Sequence, residues 1–432
     1  MGIARLFGLS PRLSEALSQR PSRAVRKLNE LCHNLLTERG EVAGAHLATE
    51  AIQLYQSLTA AEVRTFFELL VKEFSANPDE VIHAADEYRR EQTAENLAYL
   101  QHVVESPRQE LFRRLNMAPG GTHVLIEMRR QLLRDLYHVP LLEPVSADLF
   151  HLLTSWFNRG FLHLRRIDWH TSAIVLEKLI EYEAVHQIQG WNDLRRRLEA
   201  DRRCYAFFHP ALPDEPIIFI EVALSRGMSE KVQPLLDPDA PVLDPAMADS
   251  AMFYSITNCQ EGLRGVPFGS FLIKRVVEDL SAKFPRLKRF ATVSPVPGFR
   301  RWLMENAAAL DGSLIAKLEE SSWFENEKAS AELQKVLMPL CARYLLHEKS
   351  KKEPLDSVAR FHLKNGARLE QINWLGDTSP TGMTRSCGLM ANYVYRLGDV
   401  ERNHELYTRE FKVVGSSEVQ ALAKQGGALL KG

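Results

Sequence analysis

Three glycines, Gly262, Gly265 and Gly269, stand where a strand, a loop and a helix follow one another. Residues 251–258 have the composition of a strand, and the amphipathic segment that begins at Ser270 has the spacing of a helix. Glycine lets backbone N–H groups approach an anion closely, and the positive end of a helix dipole adds to the attraction. The loop therefore suits a pyrophosphate, although many glycine-rich turns bind nothing.

A serine and a histidine stand in segments that could hold them for catalysis. Ser294 ends a predicted strand and is followed by Pro295, Pro297 and Gly298, whose rigid turn holds a hydroxyl in place as a positioned donor requires. The apolar neighbours of His362 predict a partly buried imidazole, whose pKa can be tuned near neutral pH. The residues alone leave a second interpretation open: Ser294 also suits a plain strand end, and any of the 14 histidines can be a surface or core residue.

The elements that must position these residues fall into two regions. Apolar positions recur at helical spacing through most of the first ~155 residues, as in 63–74, where Thr59 and Glu62 form a capping-box pattern. Short turns between such segments predict a helical bundle over residues 1–156. From residue 157 to 432, two β-rich runs joined by a Pro/Asp turn, then strand, loop, helix and strand, predict an α/β domain. The fold class is therefore α+β.

Composition limits the class of protein. The 432 residues carry a net charge of −1, with 45% hydrophobic and 25% charged residues, which is ordinary for a globular protein and gives no field for nucleic acid or membrane partners. Apolar runs stay below the ~18 residues that a transmembrane helix needs. The five cysteines are scattered without metal-ligand spacing, which predicts buried thiols in a reducing compartment and no metal site.

Four segments carry a family resemblance. They read Gly-Val-Pro-Phe-Gly-Ser-Phe-Leu-Ile-Lys-Arg-Val-Val at 265–277, Thr-Val-Ser-Pro-Val-Pro-Gly-Phe at 292–299, Phe-His-Leu-Lys-Asn-Gly-Ala at 361–367 and Ser-Cys-Gly-Leu-Met-Ala-Asn-Tyr at 386–393. Together they resemble the malonyl-CoA decarboxylases. The resemblance covers roughly residues 160 to 400, and its motifs are long and nearly contiguous.

The resemblance implies a fold and an activity. The second domain would have the fold of the GNAT acetyltransferases, which hold CoA where two central strands splay. The chain would decarboxylate malonyl-CoA to acetyl-CoA and carbon dioxide through a thioester enolate, which needs no metal or organic cofactor in principle. It would form a homo-tetramer through its helical domain. A cytoplasmic location is expected, with the mitochondrial matrix as the alternative that the basic residues of segment 1–27 leave open.

The resemblance also assigns roles. Ser294 would hydrogen-bond to the substrate and orient it, His362 would transfer a proton and stabilise charge, Tyr395 would complete the active site, and Asn373 would be a polar support. The expected backbone donors to the CoA phosphates are Gly265, Val266, Phe268, Gly269 and Ser270.

One position departs from the family, which often has an acidic residue where this chain has Pro267. Either that carboxylate is dispensable or another, Glu221 or Glu261, replaces it. Three other functions compete with decarboxylation. These are a CoA-dependent acyltransferase, a Ser–His thioester hydrolase, weakened because Ser294 lies outside a G-x-S-x-G elbow, and a non-catalytic CoA-binding regulator.

Overall fold

The computed structural model describes residues 20–38, 40–268, 272–306, 312–320 and 322–430. The chain forms two compact units. The first runs to Phe161 and also takes in residues 209–213 and 260–268, and the second contains the remainder. The first unit therefore extends beyond the boundary expected after residue 156 and recruits two short segments from later in the chain.

Helices dominate the described part of the first unit. They are α1 (Arg23–Thr37), α2 (Glu41–Gln56), α3 (Ala60–Glu73), α4 (Pro78–Arg90), α5 (Ala94–Val104), α6 (Pro107–Asn116), α7 (Gly121–Asp135) and α8 (Glu143–Trp156). The predicted capping box at the start of α3 is confirmed, because Thr59 and Glu62 each bond the backbone of the other. Among the described residues, no helix of the chain is both long and apolar enough to cross a membrane.

The second unit mixes helices and strands. Its strands are β1 (His163–Ile167), β2 (Arg202–His209), β3 (Leu212–Ser225), β4 (Ser250–Asn258), β5 (Arg289–Thr292), β6 (Ser294–Pro295), β7 (Lys349–Ser350), β8 (Glu353–Pro354), β9 (Arg368–Asn373) and β10 (Met390–Val394). The end of β2, the start of β3 and the turn between them, residues 209–213, are counted with the first unit. Its α-helices are α9 (Ala173–Tyr182), α10 (Trp191–Arg197), α11 (Gln233–Leu236), α12 (Leu272–Lys283), α13 (Phe299–Glu305), α14 (Gly312–Glu319), α15 (Glu327–His347), α16 (Ser357–Lys364), α17 (Pro380–Ser386), α18 (Leu397–Glu410) and α19 (Ser417–Leu429).

Two central strands of the main sheet of this unit, β4 and β5, separate part of the way along their length. Its strand order is β1-β2-β3-β4-β5-β10-β6, with β9 paired to β10. Strands β4 and β5 run parallel only as far as Phe253 and Thr292, and β4 then continues to Asn258 beside β3. A bulge opposite Glu221 lies at the same level of β4. The predicted α+β fold, in which a helical region is followed by a mixed-sheet domain with two splayed central strands, is confirmed.

The glycine-rich loop is shaped by packing within the first unit. A Cβ at Gly262 would lie 2.0 Å from the carbonyl oxygen of Ile126 on α7, so only glycine fits there. From the same helix, buried Arg129 donates to the carbonyls of Gly262 at 2.5 Å and Arg264 at 2.8 Å. Gly265 has a φ of +83°, a left-handed conformation that favours glycine. Two of the three predicted glycines thus have structural reasons independent of any ligand.

Replacing Gly262 with alanine should destabilise the protein. The added methyl group would overlap the Ile126 carbonyl and force α7 and the loop apart, at a cost of roughly 1–3 kcal/mol in the free energy of unfolding. Gly44→Ala is the matched control, because Gly44 lies inside α2 with open space around it, and that change should stabilise by about 0.5–1 kcal/mol. Urea unfolding would measure both. Equal stability of the two variants would contradict the packing argument.

Candidate functional site

Ser294 begins the short strand β6, immediately beyond the end of β5. Its backbone pairs with Ala391 of β10, and the side chain is buried. The Ser294 hydroxyl donates to Thr292 Oγ1 at 2.8 Å, because residues two apart along an extended chain share a face. Pairing with β10 therefore fixes the serine more firmly than the predicted Ser-Pro turn alone would.

His362 lies on α16, a short helix with well-defined ends. Asp356 caps its start by accepting the backbone N–H groups of Val358 at 3.0 Å and Ala359 at 2.8 Å. Gly366, with a φ of +81°, ends the helix, and a Cβ there would lie 2.1 Å from the Val400 carbonyl oxygen. The Asp356 cap and the close contact of Gly366 with Val400 thus fix both ends of the helix, and His362 is buried on its inner side.

The structure joins the three predicted catalytic residues in one hydrogen-bonded chain. Ser294 Oγ lies 3.0 Å from His362 Nε2, and His362 Nδ1 lies 2.8 Å from the Tyr395 hydroxyl. Tyr395 directly follows β10, and its backbone N–H donates to the Phe290 carbonyl at 2.8 Å. Its ring packs against Phe253. Side chains from β6, from α16 and from the residue after β10 therefore meet just beyond the end of β5.

Burial determines the charge states of His362 and Tyr395 in this hydrogen-bonded series. Removal from water lowers the pKa of the His362 imidazole to about 3, because the charged form loses its solvation. Burial also raises the pKa of the Tyr395 phenol well above its usual value. At neutral pH the imidazole is therefore uncharged, with one ring nitrogen as donor and the other as acceptor, and Tyr395 keeps its proton.

Tyr393 holds the plane of the imidazole. Its ring stacks on that of His362, with centroids 4.6 Å apart and an angle of 21° between the planes. The side chain is fully buried, one residue before the end of β10. Stacking restricts rotation of the histidine ring, which keeps both ring nitrogens directed at their hydroxyl partners.

Two asparagines brace the end of β5, two residues before the serine. Asn373 Nδ2 donates to Asn392 Oδ1 at 2.7 Å, and Asn392 Nδ2 donates to the carbonyls of Thr292 at 2.5 Å and Ser229 at 3.0 Å. Asn373 therefore supports the end of β5 through Asn392. All of these bonds lie within the second unit, and both asparagine side chains are buried.

The predicted phosphate donors are described only in part. Gly265, Val266 and Phe268 belong to the first unit, whereas Gly269 and Ser270 lie outside the described residues. The Val266 N–H already donates to the Leu263 carbonyl at 3.0 Å, so binding a phosphate would require it to exchange partners. The role of these five residues stays a prediction.

The two carboxylates considered as replacements at position 267 are paired with arginines. Glu221 lies on β3 and accepts from Arg197 at 2.8 Å in the interior of the second unit. Burial raises the pKa of Glu221 to about 8, and the Arg197 guanidinium opposes that shift. Glu261 lies in the first unit and accepts from Arg134 at 2.7 Å.

A second buried polar cluster follows the bulge in β4. Glu183 accepts from the Ser255 hydroxyl at 2.8 Å and from Thr257 at 3.2 Å. Two backbone N–H groups, those of Val185 and His186, also donate to Glu183. Its carboxylate is thus satisfied where β4 continues without β5. The described residues contain no group of three or more His, Cys, Asp or Glu side chains placed to hold a metal ion.

Three further residues, Thr292, Tyr393 and Asn392, complete the surroundings of the serine and histidine and were not predicted from the sequence. A signal was present for the first two. Thr292 precedes Ser294 by two residues, and Tyr393 precedes Tyr395 by two, so each pair shares a strand face. Asn392 carries no such signal, because its three partners are 19, 100 and 163 residues distant in the chain.

Comparisons with known proteins agree with this architecture over nearly the whole chain. The family model for the malonyl-CoA decarboxylase C-terminal domain matches residues 160–430, and the model for the N-terminal domain matches residues 74–157. The mitochondrial malonyl-CoA decarboxylase of Anser anser anser is 35% identical over 420 residues, covering 88% of this chain and 83% of that protein. The Mus musculus protein is 37% identical over 347 residues, covering 73% and 70%.

Solved structures of malonyl-CoA decarboxylases have the same fold as this chain. The malonyl-CoA decarboxylase of Rhodopseudomonas palustris superposes with a TM-score of 0.89 at 43% identity, covering 92% of this chain and 99% of that one. The enzyme from Agrobacterium vitis has a TM-score of 0.87 at 45% identity, with the same coverage.

The buried histidine predicts how stability depends on pH. Below pH 6.5 the unfolded chain protonates His362, whereas the folded protein does so only near pH 3, so protons favour unfolding between these values. This group alone should therefore reduce the free energy of unfolding by roughly 2–3 kcal/mol between pH 6.5 and 4.5. His362→Asn should lose correspondingly less stability over that range in urea unfolding.

His170→Asn is the control for that measurement, because the side chain of His170 is 97% exposed. It should follow the pH dependence of the unmodified protein. A His362→Asn variant with the same pH dependence would mean that the imidazole is already charged in the folded state.

Proposed function

Because the chain belongs to the malonyl-CoA decarboxylase family and converts malonyl-CoA into acetyl-CoA and carbon dioxide, we propose that Ser294, His362 and Tyr395 carry out the reaction. The observation that carries the proposal is their continuous hydrogen-bonded chain, with distances of 3.0 Å and 2.8 Å. A hydroxyl, an imidazole and a phenol so arranged can orient a thioester and deliver a proton.

The first step breaks the bond between the α-carbon and the carboxylate carbon. The electron pair of that bond moves into the thioester carbonyl, carbon dioxide leaves, and an enolate remains. Because the thioester accepts the electrons itself, we propose that no metal or organic cofactor takes part. Ser294 hydrogen-bonds to the thioester and orients it, so the developing charge meets a preorganised donor.

The second step returns a proton to carbon. The Ser294 hydroxyl passes its proton to the enolate carbon. His362 then gives the Nε2 proton to the serine oxygen, and the Tyr395 hydroxyl gives its proton to His362 Nδ1. The uncharged imidazole suits this role because it can take up one proton as it gives up another. Solvent replaces the proton of the phenol, so the reaction consumes one proton for each carbon dioxide released. No carboxylate at position 267 is needed for this route.

The sheet offers a strand edge along which the pantetheine of the substrate can bind. Beyond Phe253 the edge of β4 that faced β5 is no longer paired with it. We propose that the pantetheine of malonyl-CoA lies along this edge, since an extended amide-bearing chain can bond to a free strand edge. From the family resemblance alone, we propose that the backbone groups of Gly265, Val266, Phe268, Gly269 and Ser270 receive the phosphates.

The helical unit offers a surface for self-association. Helices α4 and α5 pack on each other as a hairpin, and Ile82, Leu97 and Val104 of this hairpin are exposed, the latter two on one face of α5. An apolar surface of this kind is typical of a protein–protein contact. We propose that it joins copies of the chain in a homo-tetramer.

The five cysteines bear on the compartment. All of them are buried and unpaired, which is typical of a reducing environment. We propose a cytoplasmic location, with the mitochondrial matrix as the alternative, since the relatives from goose and mouse are named as mitochondrial.

Removing the serine or the imidazole should abolish most turnover. We expect Ser294→Ala and His362→Asn each to lower kcat for malonyl-CoA by at least ~100-fold, because each interrupts proton delivery. Tyr395→Phe should cost about tenfold, the value of one lost hydrogen bond. The assay follows acetyl-CoA and free carbon dioxide, with and without prior treatment with a metal chelator, which should leave the rate unchanged.

Ser250→Ala and Tyr407→Phe are the matched controls, since both hydroxyls are on buried residues of the second unit that lie outside the chain of Ser294. Both variants should turn over normally. Full activity in Ser294→Ala would exclude the proposed role of the serine, and accumulation of malonate would indicate thioester hydrolysis instead.

Charging the apolar face of the hairpin should dissociate the tetramer. Leu97→Asp combined with Val104→Asp would bury two carboxylates at the contact, which is strongly unfavourable. Light scattering should show a fall from four 49.2-kDa chains to a smaller assembly. Ala98→Asp, a charge at an exposed position on another side of α5, is the control. An unchanged tetramer in the double variant would place the contact elsewhere.

A further inference from the structure

The oxygen of the Thr292 side chain accepts two hydrogen bonds within the site. The Ser294 hydroxyl donates to it at 2.8 Å, and the backbone N–H of Tyr393 donates to it at 3.1 Å. Thr292 is 1% exposed, so water cannot readily take its place. Neither the family comparison nor the reaction scheme above gives this threonine a function.

The bond from Ser294 to Thr292 has a consequence for the histidine. A serine hydroxyl has one hydrogen, and here it is directed at Thr292, so His362 Nε2 at 3.0 Å must be the donor of the next bond. The uncharged imidazole has a single N–H, which leaves Nδ1 as an acceptor for the Tyr395 hydroxyl at 2.8 Å. All donors then point the same way, from Tyr395 through His362 and Ser294 to Thr292.

We propose that Thr292 is a positioning residue that sets the direction of this chain and holds His362 with its proton on Nε2. The inference rests on the proposed function, in which Ser294 passes a proton to the substrate. In the resting site Thr292 occupies the acceptor position that the substrate takes over during turnover, so the serine needs only to turn its hydrogen from one acceptor to the other.

The opposite direction would favour different chemistry. Without an acceptor at Thr292, the Ser294 hydroxyl would donate to His362 Nε2, and Nδ1–H would donate to Tyr395. That arrangement is the one in which a histidine removes the proton of a nucleophilic serine. Thr292 therefore favours proton delivery to an enolate over attack by the serine on the thioester.

The fold keeps the threonine oxygen in place. Asn392 donates to the Thr292 carbonyl at 2.5 Å, and the Tyr393 N–H holds the side chain from the same strand. A β-branched side chain has few rotamers in a strand, so these bonds select one of them. Serine can supply the same oxygen, whereas valine has the same shape without it.

Thr292→Val and Thr292→Ser separate the oxygen from the shape. We expect Thr292→Val to lower kcat by about tenfold or more with little change in KM, because proton delivery is impaired while substrate binding is not. Thr292→Ser should stay within about threefold of the original enzyme. Thermal melting of each variant checks folding, and Thr292→Ala replaces the valine variant if that one does not fold. A Thr292→Val enzyme with normal kcat would overturn the inference.

The position of the histidine proton can be measured directly. Nitrogen-15 spectra of the histidine-labelled enzyme should show His362 protonated at Nε2, with the signal assigned by its loss in His362→Asn. In Thr292→Val the proton should move to Nδ1. A proton on Nδ1 in the original enzyme, or one that stays on Nε2 in Thr292→Val, would overturn the inference. Failure of the proposed function is distinct, since Ser294→Ala would then remain active.

Discussion

Strand β10 pairs with both β5 and β6, and the site depends on that double pairing. Val394 lies opposite Ala291 and Ala391 lies opposite Ser294, so one continuous strand spans the break between the two shorter ones. The same strand contributes Asn392 and Tyr393, and Tyr395 directly follows it. A backbone constraint therefore determines the distances between side chains, and the sheet must be complete before the serine and histidine can meet.

Burial gives the site its chemical character at the expense of stability. An imidazole that stays uncharged far below its usual pKa can serve as a proton carrier, but the protein must hold it away from water. Hydroxyl groups on both ring nitrogens satisfy its hydrogen bonds without adding a charge. A carboxylate partner would instead favour the imidazolium, so the choice of tyrosine is consistent with a neutral relay.

The sequence predicted the residues that share long motifs and missed those that depend on the register of the sheet. Ser294, His362 and Tyr395 were identified through the family resemblance, and the helical region and the splayed strands were expected as well. Strand β6 could not be foreseen, because two residues have no periodicity to detect. Gly262 was one of three glycines taken to mark a loop suited to a pyrophosphate, yet its closeness to Ile126 arises from a tertiary contact that local pattern cannot reveal.

The first unit has a discontinuous makeup, since residues 209–213 and 260–268 join a body formed mainly by the chain up to Phe161. A gene truncated near codon 160 would therefore encode neither unit whole. Recombination between relatives would be tolerated poorly at that point, because Arg129 from one parent would have to recognise the loop carbonyls of the other. The gene segments on either side of codon 160 are thus expected to be inherited together. Exchange of one segment alone is disfavoured because the first unit contains residues from both.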